Sequence, residues 1–141
     1  MINDDLKLKG KLAISINGEV VQEVDNLVVT AGKGYVASRM KDATATAMSH
    51  MAIGSGSTAA AASDTALGNE LGRVSLTSTN VSAAVVTYVA TFGAGTGTGA
   101  VTEAALLNAS SSGTMLCRTV FSVVNKGSAD SMTITWTVTV S

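Results

Sequence analysis

The hydrophobic pattern of this chain is clearest near its C-terminal end. Met132, Ile134, Trp136, Val138 and Val140 alternate with Thr133, Thr135, Thr137 and Thr139. A period of two over this length predicts a strand with one face on a core and the other toward water or a partner. Apart from Met132, these residues are β-branched or aromatic, the types that suit a pleated surface. Trp136 is the only tryptophan. It stands in the middle of the apolar set and is expected at the centre of the core. So regular a strand needs a second layer to cover it, which the earlier segments must supply.

The same alternation opens the chain. Leu6, Leu8, Leu12, Ile14 and Ile16 alternate with Lys7, Lys9, Lys11, Ala13 and Ser15, which predicts a strand with one basic face. Asn17-Gly18 follows, a strong signal for a tight hairpin because both central residues of a type I′ turn need positive φ. A return strand is expected from Glu19 to about Val24, interrupted by Asp25-Asn26, before the apolar run Leu27-Val28-Val29. Thr30 is placed as the N-cap of a short helix from Ala31 to about Met40, with Val36, Ala37 and Met40 as its inward stripe. Gly32 and Gly34 weaken that helix.

Further strands are predicted over Ser49–Gly54, Arg73–Asn80, Ala83–Phe92, Ala100–Leu107 and Met115–Val124. Ser63 resembles the cap of a helical turn through Ala66-Leu67. Loops fill Asp42–Thr46, Ser55–Ala62, Gly93–Gly99 and Asn108–Gly113. About eight strands and one short helix make an all-β fold, a jelly roll or β-sandwich, in a single domain spanning residues 1–141. The sequence has no proline, a residue that often guards sheet edges, so these edges need bulges, loops or a partner.

Charge changes the picture more by its distribution than by its total, a formal −1. Met1 to Asp42 holds six basic and six acidic residues. From Ala43 to Ser141 only Asp64, Glu70, Arg73, Glu103, Arg118, Lys126 and Asp130 are charged. A free soluble domain normally wears far more charge; the favoured reading of this depletion is surface that ends in contact with other protein, the alternative a Thr-rich β protein kept soluble by its hydroxyls. No basic field suggests nucleic acid. No apolar run reaches membrane-spanning length and no signal-peptide pattern opens the chain. The single cysteine, Cys117, allows no internal disulfide.

Candidate chemistry is sparse. Gly93–Gly99 lacks the Lys-Ser/Thr ending of a phosphate loop, and Gly54-Ser55-Gly56-Ser57 does not match a nucleophile elbow. His50, the only histidine, has no serine beside it in the context of an activated nucleophile. Cys117 sits in an apolar strand, where a thiol acts as a small hydrophobe. Glu70 and Glu103 stand out in so neutral a region. An acid/base pair is one reading. The favoured reading is that each pairs with Arg73 or Arg118 and pins a loop to the sheet. No metal or cofactor is expected, and no small-molecule substrate.

Three segments carry a resemblance. They are MAIGSGSTAAAASDTALGNELGR (Met51–Arg73), VTEAALLNASSSGTMLCRTVFS (Val101–Ser122) and DSMTITWTVTV (Asp130–Val140). Together they resemble the capsid cement, or decoration, proteins of short-tailed Bordetella-type bacteriophages, over most of the chain from Leu27 onward. Similar segments occur in small phage tail or fibre-associated proteins. The resemblance implies a jelly roll made in the host bacterial cytoplasm. It also implies a homodimer on the outer surface of the virion that bridges major capsid protein subunits. It carries no catalytic residues. Glu70, Arg73, Glu103 and Arg118 match the family pattern and are read as structural ion pairs.

The first expectation is therefore a cement protein, and the second a tail-appendage or receptor-binding module. A glycan-active enzyme ranks last. A receptor-binding module would cluster aromatic side chains on loops, whereas Tyr35, Tyr88, Phe92, Phe121 and Trp136 fall mostly in predicted strands or the helix. Thr133, Thr135, Thr137 and Thr139 present an uncharged face, and this face or the edge beside it is the first candidate dimer interface. Asn3, Asp4, Asp5, Thr96, Gly97 and Thr98 are candidate capsid contacts. The start of the chain and the Gly93–Gly99 loop are expected to be loose when free and ordered on the shell.

Overall fold

The computed structural model describes residues 6–141. It contains β1 (Leu8–Ile16), β2 (Glu19–Val28), α1 (Thr30–Lys41), β3 (His50–Gly54), β4 (Glu70–Ser75), β5 (Ser78–Ser82), β6 (Val85–Phe92), β7 (Gly99–Leu107), β8 (Met115–Lys126) and β9 (Met132–Val140). The fold is all-β with one short helix, as the alternation predicts. Its strands form a single antiparallel sheet in the order β4-β3-β7-β8-β2-β1-β9-β6-β5. The sheet curls until β4, at one end, touches β6 near the other.

There are nine strands rather than about eight because the predicted Arg73–Asn80 strand is two. Leu76-Thr77 separates β4 from β5, which lie at opposite ends of the sheet. The Leu76 amide donates to the Ser49 carbonyl beside β3 (2.9 Å), and the Thr77 amide to Val89 on β6 (2.7 Å). This two-residue link carries the chain across the seam and closes the curl.

Asn17 and Gly18 take positive φ, 49° and 86°, as the hairpin between β1 and β2 requires. Asp25-Asn26 does not interrupt β2: both pair with β1, Asp25 opposite Lys11 and Asn26 opposite Gly10. A Cβ on Gly10 would collide with the Asn26 carboxamide, so the glycine makes room for a polar side chain laid across it. The last residues of β2, Leu27 and Val28, change neighbour and pair with β8. There the sheet folds from one half into the other.

The two halves enclose one core. Trp136 is fully buried, with Leu12 opposite it on β1 and Tyr88 on β6. Met51, Ile53, Leu106 and Phe121 of the other half complete the same cluster. A second, smaller cluster lies behind β3, β7 and β8: Val29, Ala52, Ala105, Leu107 and Met115, covered by Ala31 and Leu67. These strands are thus buried on both faces. That explains why Ala104-Ala105-Leu106-Leu107 runs apolar without alternating.

The helix departs from expectation at both ends. Thr30 is its first residue, not its cap. Its amide donates to the Ala62 carbonyl (2.8 Å), and no side chain caps the helix. Gly32 is buried, and a Cβ there would strike the Leu116 carbonyl. The glycine that weakens the helix is what lets it lie against β8. Val36 packs on the core, but Ala37 and Met40 do not complete an inward stripe; Met40 is 75% exposed. The helical turn expected after Ser63 is a hydrogen-bonded turn, closed by the Asp64 amide on the Ala61 carbonyl (3.0 Å) and the Asp64 carboxylate on the Ala61 amide (2.8 Å).

Candidate functional site

The residues singled out in the sequence separate into a buried clamp, a surface clamp and an open surface. Glu103 on β7 and Arg118 on β8 face the second cluster and are 0% and 2% exposed. Glu103 Oε1 accepts from Arg118 Nη2 (2.9 Å) and Nε (3.2 Å). The same carboxylate accepts the amides of Gly56 (2.6 Å), Gly68 (2.8 Å) and Asn69 (2.8 Å). Arg118 reaches on to Asp64 Oδ2 (2.8 Å) and the Thr58 carbonyl (3.1 Å). Side chains on Gly54 or Gly56 would invade the space of this carboxylate or of its neighbouring backbone. One ion pair thus holds both arms of the 55–69 loop on the sheet.

Burial alone would push the Glu103 carboxyl up. The amides of Asn69 and Gly68, the Arg118 guanidinium and the Gly56 amide outweigh it and hold the group below its usual range. The Ala61 amide does the same for Asp64 against a smaller burial effect, with help from Arg118. Asp64 is the member of this network that sequence reasoning left out. Its rarity in a neutral stretch was the available signal.

Glu70 and Arg73 form the surface clamp. Arg73 binds Glu70 through both carboxylate oxygens (2.7 and 3.1 Å). Its Nη1 also donates to the carbonyls of Ala109 and Ser112 (2.9 Å each), fastening the turn between β7 and β8. The two glutamates therefore lie in separate ion pairs, one on each side of β3.

β9 lies between β1 and β6, so it is not a sheet edge; the edges are β4 and β5. Thr133, Thr135 and Thr137 lie half-buried on the outer face, with Thr139 beside them. The Thr133 hydroxyl bonds that of Thr91 (3.0 Å), and Thr137 donates to the Lys11 carbonyl (3.2 Å). Their β6 neighbours on this face are Val85, Thr87, Val89 and Thr91, which makes it uncharged on that side.

The Gly93–Gly99 loop touches the fold at two points. Buried Lys126 donates to the Gly93 carbonyl (2.8 Å), and Gly97, at φ 68°, is buried against Ile53. Gly97 is therefore not available as a contact. Thr96 is half-buried and Thr98 exposed. The signal for this packing was absent from composition, since a glycine fills a gap only tertiary structure creates. Asn3, Asp4 and Asp5 lie outside the described residues.

Of the remaining candidates, His50 lies between Ser49 Oγ (2.7 Å) and Ser75 Oγ (3.4 Å) and links β3 to β4. Cys117 is buried, which pushes its thiol well up and keeps it protonated. Among the described residues no group of three or more His, Cys, Asp or Glu is placed to hold a metal ion. No described helix is long and apolar enough to cross a membrane. No known protein family, curated protein or solved structure matches this chain.

Proposed function

We propose that this chain is a structural contact protein of a phage virion. In this reading it is a capsid cement protein that sits on the outer face of the shell as a homodimer and bridges major capsid protein subunits. One observation carries the reading: how little free charge the surface of the last hundred residues retains. Of the seven charged side chains after Asp42, Glu103, Arg118 and Lys126 are buried. Asp64, Glu70 and Arg73 are held in ion pairs, and Asp130 accepts from the Asn17 carboxamide and the Gly127 amide. A broad, nearly neutral, hydroxyl-rich surface costs little to desolvate and fits lasting contact with other protein. The resemblance of Met51–Arg73, Val101–Ser122 and Asp130–Val140 to cement proteins supplies the shell as the partner.

The aromatic residues weigh against the receptor-binding alternative. Trp136, Phe92, Tyr88 and Phe121 are buried, and Tyr35 is half-buried, its hydroxyl accepting the Met48 amide (3.2 Å). None is displayed on a loop where it would stack on a glycan. The test is co-sedimentation of the purified chain with expanded, undecorated phage shells, together with the heat stability of those shells. Saturable binding that raises shell stability is expected. Shells that neither bind the chain nor gain stability would overturn the assignment.

A further inference from the structure

The helix stripe that fails to reach the core opens onto a groove of about 730 Å³ between α1 and the Leu8 end of β1. Leu6, Leu8, Leu27, Val36, Met40 and Val140 give it apolar walls. Leu6 and Met40 are among the most exposed large apolar side chains of the described residues. Contiguous apolar surface of this kind marks a place where something else packs. The rim carries Lys9 and Lys33, and no carboxylate is among the described residues lining it. Asn26 also borders it, but its carboxamide is buried within the fold across Gly10 and faces no partner in the groove.

We propose that this groove is a docking site for a segment of a partner protein that presents apolar side chains flanked by aspartate or glutamate. The apolar side chains fill the trough between α1 and β1. The carboxylates meet Lys9 and Lys33 at the rim. This inference goes beyond the shell assignment and does not need it: it is read on the purified chain with no shell present.

The experiment is a titration of the isotope-labelled full chain with a short capped peptide alternating leucine and aspartate, followed by amide chemical shifts. Saturable shifts are expected at Leu27, Val36, Met40 and Val140. Replacing both exposed lysines (Lys9→Glu with Lys33→Glu) is expected to weaken binding by about tenfold or more through charge opposition. Met40→Asp, at an exposed position that leaves the core signals unchanged, is expected to weaken it as well. The proposal is overturned if a leucine–lysine peptide binds as tightly, if the shifts fall elsewhere, or if these variants bind like wild type. It is equally overturned if dodecanoate fills the groove and the acidic peptide does not. A chain that passes this test yet ignores shells keeps its groove and loses its virion role.

Discussion

Trp136 has its indole enclosed on all sides, between Leu12 and Tyr88 in register and the opposing half of the sheet. Replacing it with alanine leaves a cavity that the surrounding strands cannot close, so Trp136→Ala is expected to cost about 3–5 kcal/mol in denaturant unfolding. Native fluorescence should be blue-shifted and poorly quenched by iodide; a water-like emission would contradict this burial. The indole N–H finds no acceptor, so part of what the residue contributes by packing is offset. Asn26 illustrates the same effect more cleanly. Its amide atoms are buried and unpartnered across Gly10. Asn26→Leu keeps much of the shape and removes the orphaned groups, and a gain of about 1 kcal/mol is expected on chemical unfolding. The place of Trp136 was legible from alternation alone. The predicament of Asn26 was not, because it depends on which residue stands opposite in the register.

At the scale of elements, the 55–69 loop is long and made mostly of small residues that bury little. It is held by the charges beneath it. Glu103→Gln keeps the shape but removes the fully buried partner of Arg118, leaving Asp64 as its one remaining carboxylate, and presents an amide to backbone donors. A loss of about 3 kcal/mol or more is expected, with faster hydrogen exchange at Gly56, Gly68 and Asn69. Glu70→Gln breaks a half-exposed pair and is expected to cost only about 0.5–1 kcal/mol. The folded protein holds Glu103 and Asp64 below their usual range. Their contribution is therefore present above the unfolded carboxylate pKa of about 4 and is lost as pH falls through the lower folded values. Stability measured down an acid series should fall below about pH 4, and less steeply in Glu103→Gln; parallel curves would remove Glu103 from that role. The sequence marked Glu103 and Arg118 by their rarity. Three backbone amides converging on one carboxylate could not be read from it, since a loop's path is set by what it packs on.

At the scale of the whole molecule, the curl of the sheet decides which surfaces remain for partners. It puts β9 in the interior of the sheet, so association through its backbone edge is closed and only its threonine face is offered. That face is uncharged from β9 across β6, and the hydroxyls of Thr91, Thr133 and Thr137 are already engaged within the chain. In the homodimer of the proposed function it is the self-contact, and like charges placed there would meet across the axis. The double change Thr135→Lys and Thr137→Lys is expected to give a folded monomer in sedimentation velocity where wild type sediments as a dimer. Wild type that stays monomeric at high concentration would discard the dimer, and a variant that dimerises unchanged would move its interface off this face.

By itself the sequence determined the strands whose two faces differ. β1, β6 and β9 were readable because a sheet with one face on a core writes its own period into the chain, and the Asn17-Gly18 turn because only a few residue types accept its backbone. The split of β4 from β5, the continuous β2, the buried glycines at 32 and 97, and the open groove beside Met40 were decided by tertiary structure alone. Each depends on contacts between segments far apart in the chain. No local pattern records which distant backbone will approach a glycine, or whether an apolar stripe will find the core or stop short of it.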